Sequence, residues 1–408
     1  MRKISYYKLF IYLLLLNSFV SITNSLYPAN LNLGKIVGAV LIIELIAIYI
    51  KTLKKNDIYF LIFIITFGML TLFRINDASI DLENTIFFIS TTMILWKFSE
   101  LSVRKDMKAE FQSMSRKVFW IANLLLGITI ISIFLNNCWC VVNGQRVFTG
   151  FCDSGHKMAG NLCFLSSIYF LYFLDKEIKI RDLIFFAIIF AIILLTGSRT
   201  YMISYFLIMI LLYIKKLRKY SIIKLLTPFI ILLGIYFFIN SSIFARFIIM
   251  GQNKYVSNNF WEATSSGRLI WWKIDLNAFG NFDFIHKIIG KGFTYLYNLN
   301  LIEYGLRISA HNDFITLLIS SGLYGLIGYL LILRRWFFKK NANNKVQLLS
   351  LIFTVLIFIM NAMISGAYGA QQYMFCNLII SLVLLDNKSK EEKGKKQKDE
   401  LYNIRERV

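Results

Sequence analysis

The chain has 408 residues, of which 57% are hydrophobic, with 37 Phe, a mean hydropathy of +0.60 and a formal net charge of +22. Apolar runs recur from end to end at lengths that a water-soluble core does not need, whereas about 20 apolar residues are what the hydrocarbon layer of a bilayer demands. A soluble globular domain is excluded, and the positive charge is sorted by loop, which speaks for membrane topology and against nucleic acid as a partner.

Twelve membrane spans are predicted, over 9–26, 34–50, 58–73, 82–96, 118–135, 158–174, 182–197, 200–214, 221–239, 312–333, 346–365 and 371–385. The first 25 residues have the build of a signal peptide but lack its cleavage pattern, so they read as a retained first span. Only two prolines occur, Pro28 and Pro228, so most spans are expected to run unbroken. The expected fold class is therefore all-α: a polytopic integral membrane protein of about 12 helices. Residues 1–385 form a single membrane domain, with one large external loop, 240–310, between spans 9 and 10. The tail 386–408 is charge-dense and has the composition of a disordered segment.

Lys and Arg fix the expected orientation. Of the 45, 33 fall on the side of the two termini, and 12 on the other, seven of these within 240–310. That asymmetry puts both termini in the cytoplasm and the loops 136–157 and 240–310 outside. The five cysteines show no metal spacing and no metal is expected. Cys138, Cys140 and Cys152 share one external loop, where a disulfide could form.

Positive charge is avoided outside, so each external arginine calls for a reason. In "LLTGSRTYMIS", Arg199 sits in a short turn between two spans. Gly197 gives the turn its freedom and Ser198 can cap the helix that follows. A helix N-terminus beside a guanidinium suits an anion; the alternative is an arginine that reaches lipid phosphates. In "SSGRLIWWKIDLNAF", a helix is expected to start near Arg268. Leu269, Trp272 and Leu276 would share one face, with Ile270, Trp271 and Ile274 beside them, as in a helix lying at the membrane surface. Such a helix either presents Arg268 to phosphate, for which the planar fork is suited, or is a plain anchor. The loop "NGQRVFTGFCDSGHKMAGN" adds Arg146 and His156.

"SAHNDFITLLISSGLYGLIGYLLIL" opens a span on His311, Asn312 and Asp313, and the chain has only three histidines. A helix cap accounts for one polar residue there, not three. A histidine near two arginines is expected to be neutral, because nearby positive charge lowers its pKa. Neutral imidazole can take the proton of an attacking hydroxyl. Gly322, Gly325 and Gly328 would let neighbouring helices approach closely.

Taken in order, "GSRT" (197–200), "SGRLIWW" (266–272), "GKGF" (290–293) and "AHNDFITLLISSGLYGLIG" (310–328) resemble the motifs of the O-antigen polymerase and O-antigen ligase superfamily. The resemblance covers about 140–330; the first 130 residues carry none of its motifs. Where the family more often has an Asn, this chain reads Ser154-Gly155-His156. The resemblance implies a GT-C-like, metal-independent glycosyltransferase without cofactor in a bacterial cytoplasmic membrane, its site facing outward. The implied donor is an undecaprenyl-diphosphate-linked oligosaccharide. Arg199 and Arg268 would hold the diphosphate and His311 would activate the acceptor hydroxyl. Arg146, His156, Asn312, Asp313 and Trp272 are the candidate substrate contacts. The expected partners are membrane lipids and the chain-length regulator and flippase of the same pathway. Polymerase is the favoured reading, ligase the alternative, and transporter of lipid-linked oligosaccharide the third. A transporter calls for ionisable groups inside spans, and Glu44 is the clear acidic candidate there.

Overall fold

Ser5 starts the first helix by accepting a hydrogen bond from the Lys8 amide. The computed structural model describes residues 5–28, 33–142, 144–174, 182–215 and 268–338, with short pieces between 352 and 366. It is mostly helical. In chain order come α1 (Tyr6–Ile22), α2 (Leu33–Lys51), α3 (Asp57–Leu72), α4 (Ala78–Lys97), α5 (Leu101–Ser113) and α6 (Ser115–Ile133). A hairpin follows, β1 (Trp139–Val142) and β2 (Gln145–Phe148), antiparallel with Trp139 opposite Phe148. Then come α7 (Gly155–Leu174), α8 (Leu183–Leu195), α9 (Arg199–Lys215), α10 (Arg268–Gly280), α11 (Phe284–Ile289), α12 (Phe293–Tyr304) and α13 (Asp313–Phe338). The predicted spans 221–239 and 371–385 lie outside the described residues, and 346–365 is described only in pieces.

Apolar residues cover both faces of the long helices, which is the pattern of a helix in lipid. On α2, Leu41, Leu45 and Ile48 are buried while Ile36, Val40, Ile43 and Ile50 are exposed at the same three-to-four spacing. On α3, Phe60 and Phe67 are buried while Ile58, Ile62, Ile65, Met69 and Leu72 are exposed. Exposed apolar surface on this scale has no place in water. Among the described residues, α2, α6 and α13 are long and apolar enough to cross a membrane, and α1, α3, α8 and α9 are shorter apolar helices.

Four points refine or correct the sequence reading. The segment between spans 4 and 5 is more than a loop: α5 turns 93° away from α4. It buries Val103, Met107 and Phe111 at every fourth position and exposes Lys105 and Asp106 between them. The loop 136–157 contains one short two-stranded hairpin within a fold that is otherwise helical. Cys138, Cys140 and Cys152 are free thiols. Cys152 is spent on other contacts, its thiol donating to Ser21 O at 3.1 Å and lying near the Asn161 amide.

A fourth correction concerns the tenth span. The predicted unbroken helix 312–333 is broken, by glycine and not proline: Gly322 has φ 63°, ψ −160° inside α13. In a straight helix Asp313 and Tyr329 would stand about 24 Å apart, yet the Tyr329 hydroxyl donates to Asp313 Oδ2 at 3.0 Å. The arm 313–321 therefore folds back toward the arm 323–338. A break frees the carbonyls at the end of the first arm. They are met by the chain just before α12, where Lys291 N donates to Ile319 O at 2.9 Å and Gly292 N to Ser320 O at 2.8 Å. The approach is tight: a Cβ on Gly322 would fall 2.4 Å from Ile288 O. Gly325 and Gly328 do what was expected of them, packing against Phe67 and Phe63 of α3.

Loop residues far apart in sequence meet at two places. At one end Lys97 bonds Asp57 at 2.6 Å and Glu100 at 3.3 Å, while Arg335 lies over the Trp96 ring and donates to Ser99. At the other end Ser25 N donates to Phe151 O, Arg307 pairs with Asp77, and Thr294 donates to Asp81.

Candidate active site

Four separate stretches bring polar groups together at the second end. His156 is the second residue of α7. Its neighbour Gly155 leaves no room for a side chain, since a Cβ there would lie 2.7 Å from Thr196 O and 3.0 Å from Phe148 O. This close approach sets α7 against the 196–199 turn. His156 Nδ1 then lies 3.0 Å from Ser198 Oγ, and its ring packs on Tyr201 at 4.6 Å between centroids. Arg199 follows at the first residue of α9, half-buried.

Arg268, in the first described turn of α10, closes the other side. Its guanidinium is pushed down to about 10 by burial and by Arg199. His156 is pushed down to about 4 by burial, then by Arg268 and His311. It is therefore a neutral imidazole at neutral pH, and a proton donated by Ser198 to Nδ1 leaves its own proton on Nε2. His156 is surrounded by protein yet keeps open surface.

His311 enters from the segment before α13. It is the only non-glycine residue with positive φ (51°) among the described residues. Such a conformation costs free energy and persists only where its surroundings impose it. Here Trp272 Nε1 donates to Ala310 O at 2.8 Å, fixing the peptide just before it. Asn312 fixes the residue just after, its Oδ1 accepting from Phe314 N and Ile315 N as the cap of α13. The His311 ring lies 5.7 Å from Trp271, which meets Tyr304 at 5.1 Å.

The charge of Arg199 is thus felt at Arg268, and those of Arg268 and His311 at His156. The remaining sequence candidates are held differently. Asn312 caps a helix; Asp313 is fully buried and accepts from Tyr329. Trp272 packs under the His311 segment with Phe282 and Leu296. Arg146 is engaged within its own hairpin, stacked over Trp139 and donating to Asn136. Ser198, Tyr201, Trp271 and Tyr304 were missed. The first and third are neighbours of named candidates, and a tryptophan pair at a helix start was signal enough to name both. Trp271 and Asp275 are the buried residues of α10 and Leu276 is 46% exposed.

The charge of Arg199 lowers the Arg268 pKa, and an anion bound between the two guanidiniums would relieve that repulsion. The first turn of α9 adds backbone N–H groups and a positive dipole end. Among the described residues, no group of three or more His, Cys, Asp or Glu could hold a metal ion.

Residues 184–330 match the O-antigen ligase family. This stretch of the chain belongs to the O-antigen polymerase and ligase superfamily, which its motifs resemble. It holds Arg199, Arg268 and His311 and leaves Arg146 and His156 outside. No curated protein matches the chain. The family carries O-antigen ligase and polymerase activity, and with the apolar helices it marks a membrane protein.

Proposed function

We propose that the chain is a metal-independent glycosyltransferase of the GT-C type that polymerises a bacterial surface polysaccharide, O-antigen or capsule, on the outer face of the cytoplasmic membrane. What supports this reading is that the charge of Arg199 is felt at Arg268, and those of Arg268 and His311 at His156, with Arg199, Arg268 and His311 all inside the family-matched stretch. The arginines bind the diphosphate of an undecaprenyl-linked donor and stabilise the charge that grows on it as the glycosidic bond breaks. His311 accepts the proton of the acceptor hydroxyl as that oxygen attacks the anomeric carbon. The displacement inverts the anomeric centre, and the diphosphate leaves with the bonding electron pair. Neutral His156, ordered by Ser198, donates a hydrogen bond without adding charge.

The name of the matching family favours a second reading, a ligase that delivers finished glycan to a different acceptor. Purified protein in proteoliposomes separates the two. Given lipid-linked repeat units alone, a polymerase lengthens them, whereas a ligase leaves them unchanged until a lipid A core or other acceptor is added. A transporter moves them across the bilayer without forming any new glycosidic bond.

A further inference from the structure

The first 130 residues carry no family motif, yet one of them reaches into the break of α13. Arg74 follows α3. Its Nε donates back to Leu70 O at 2.7 Å, which aims the guanidinium away from α3. Its Nη1 donates to Ile289 O, to Gly290 O at 2.8 Å and to Ser320 O at 3.3 Å. These carbonyls belong to the two segments that meet at the break: the end of α11 with the turn after it, and the end of the first arm of α13. A Cβ on Gly290 would fall 2.4 Å from the Ser320 carbonyl carbon, so the two segments are already at closest approach. The first turn of α4, just after this loop, holds the far side of the turn. Asp81 accepts from Thr294 N at 2.9 Å and Thr294 Oγ1 at 2.7 Å, at the start of α12.

We propose that Arg74 is a positioning residue for the transfer reaction: its guanidinium ties the 289–290 turn to the break at Ser320, and so holds the arm of α13 whose first residues follow His311. It touches no reacting atom. The rigid guanidinium plane is anchored at Nε by Leu70 O and reaches the three carbonyls with Nη1; a lysine ammonium has three donors but all on one freely turning nitrogen, with no second anchor to aim it. The arm 313–321 is rigid, so a small shift at Ser320 is carried to Asn312 and His311 at its other end. A misplacement of about 1 Å at a reacting group can cost about 100-fold in rate.

The proposal rests on the glycosyltransferase reading, and the test separates the two. Arg74→Lys and Arg74→Ala are made in the full chain and reconstituted with purified lipid-linked repeat units. The expected result is a fall in kcat of about 100-fold in both, with the donor KM within about threefold of wild type, because Arg199 and Arg268 are untouched. Guanidinium added to Arg74→Ala restores turnover and methylammonium does not. Hydrogen exchange of the 288–294 peptide, which needs no activity, rises in Arg74→Lys as the Lys291 and Gly292 amides loosen. Wild-type kcat in Arg74→Lys with unchanged exchange overturns the proposal. So does a loss seen wholly in KM, or failure of both variants to insert, which would make Arg74 a folding residue only. If wild-type protein forms no glycosidic bond, the functional reading fails instead, and the exchange result alone then decides whether Arg74 holds the turn.

Discussion

Asp275→Asn is expected to stabilise the protein at pH 8 and to do nothing at pH 4. Asp275 is fully buried on α10, one turn beyond Trp271. The Asn300 side chain faces it, but neither carboxylate oxygen has a hydrogen-bond partner among the described residues, and Asn300 Oδ1 and Trp271 Nε1 also lack one. Burial pushes the carboxyl up from 3.8 to about 7, and Asn300 only trims the rise. The folded pKa lies above the unfolded one, so between pH 4 and pH 7 the unfolded chain has lost a proton that the folded chain keeps. Stability falls as pH rises through that window and is level above it. At 1.36 kcal/mol per unit, the full penalty is about 4 kcal/mol. Asparagine has nearly the same shape and never ionises, so it removes the penalty wherever the penalty exists. With about 2.1 cal/mol/K of unfolding entropy per residue, the gain is worth about 5 °C in melting temperature for a chain of this length. The assay is thermal unfolding of detergent-purified wild type and variant at pH 4, 6 and 8. Destabilisation at pH 8 would show that Asp275 is ionised and paired, and an equal shift at every pH would show that its ionisation plays no part; either result refutes the reasoning.

Arg199→Lys and Arg268→Lys should each lower polymer yield about 100-fold at normal protein level, because the ammonium lacks the planar fork for a phosphate; full-length polymer on a gel from either variant would rule out the two-arginine clamp. His156 titrates near 4, so it is neutral across pH 6–8, and His156→Asn should change the rate without moving the pH at which activity falls. A shifted acid limb in that variant would make His156 the titrating base. Gly322→Ala should cut folded yield or activity sharply, since the residue needs φ 63° and its Cβ would meet Ile288 O at 2.4 Å; recovery of wild-type yield and activity would mean that α13 is not broken there.

The helices were legible because lipid enforces a simple rule, long apolar runs, and α2 and α6 lie within two or three residues of their predicted bounds. The break in α13 was not. A glycine in an apolar run reads equally as a packing residue or a hinge, and Gly325 and Gly328 are the former while Gly322 is the latter. What decides is the presence of outside donors for the freed carbonyls, and these come from Lys291, Gly292 and Arg74, far away in sequence. The amphipathic helix α5 hid within a charged loop, its buried positions too few to stand out against the lysines. At the site, Arg199, Arg268 and His311 could be named because charge and rare residue types are conspicuous. The supports of His311 could not be read as supports. Trp272 and Asn312 were named for substrate contact, and only the fold shows that they also hold the backbone on either side of it.

Glycosyl transfer by purified protein is the measurement that bears most directly on the account. Wild type and His311→Gln are reconstituted in metal-free buffer with lipid-linked repeat units, and new glycosidic bonds are counted by mass. Glutamine keeps size and hydrogen bonding but is not a base, so the variant is expected to bind donor normally and to transfer at least about 100-fold more slowly. Wild-type transfer by a folded, membrane-inserted His311→Gln would contradict the account and place the base elsewhere.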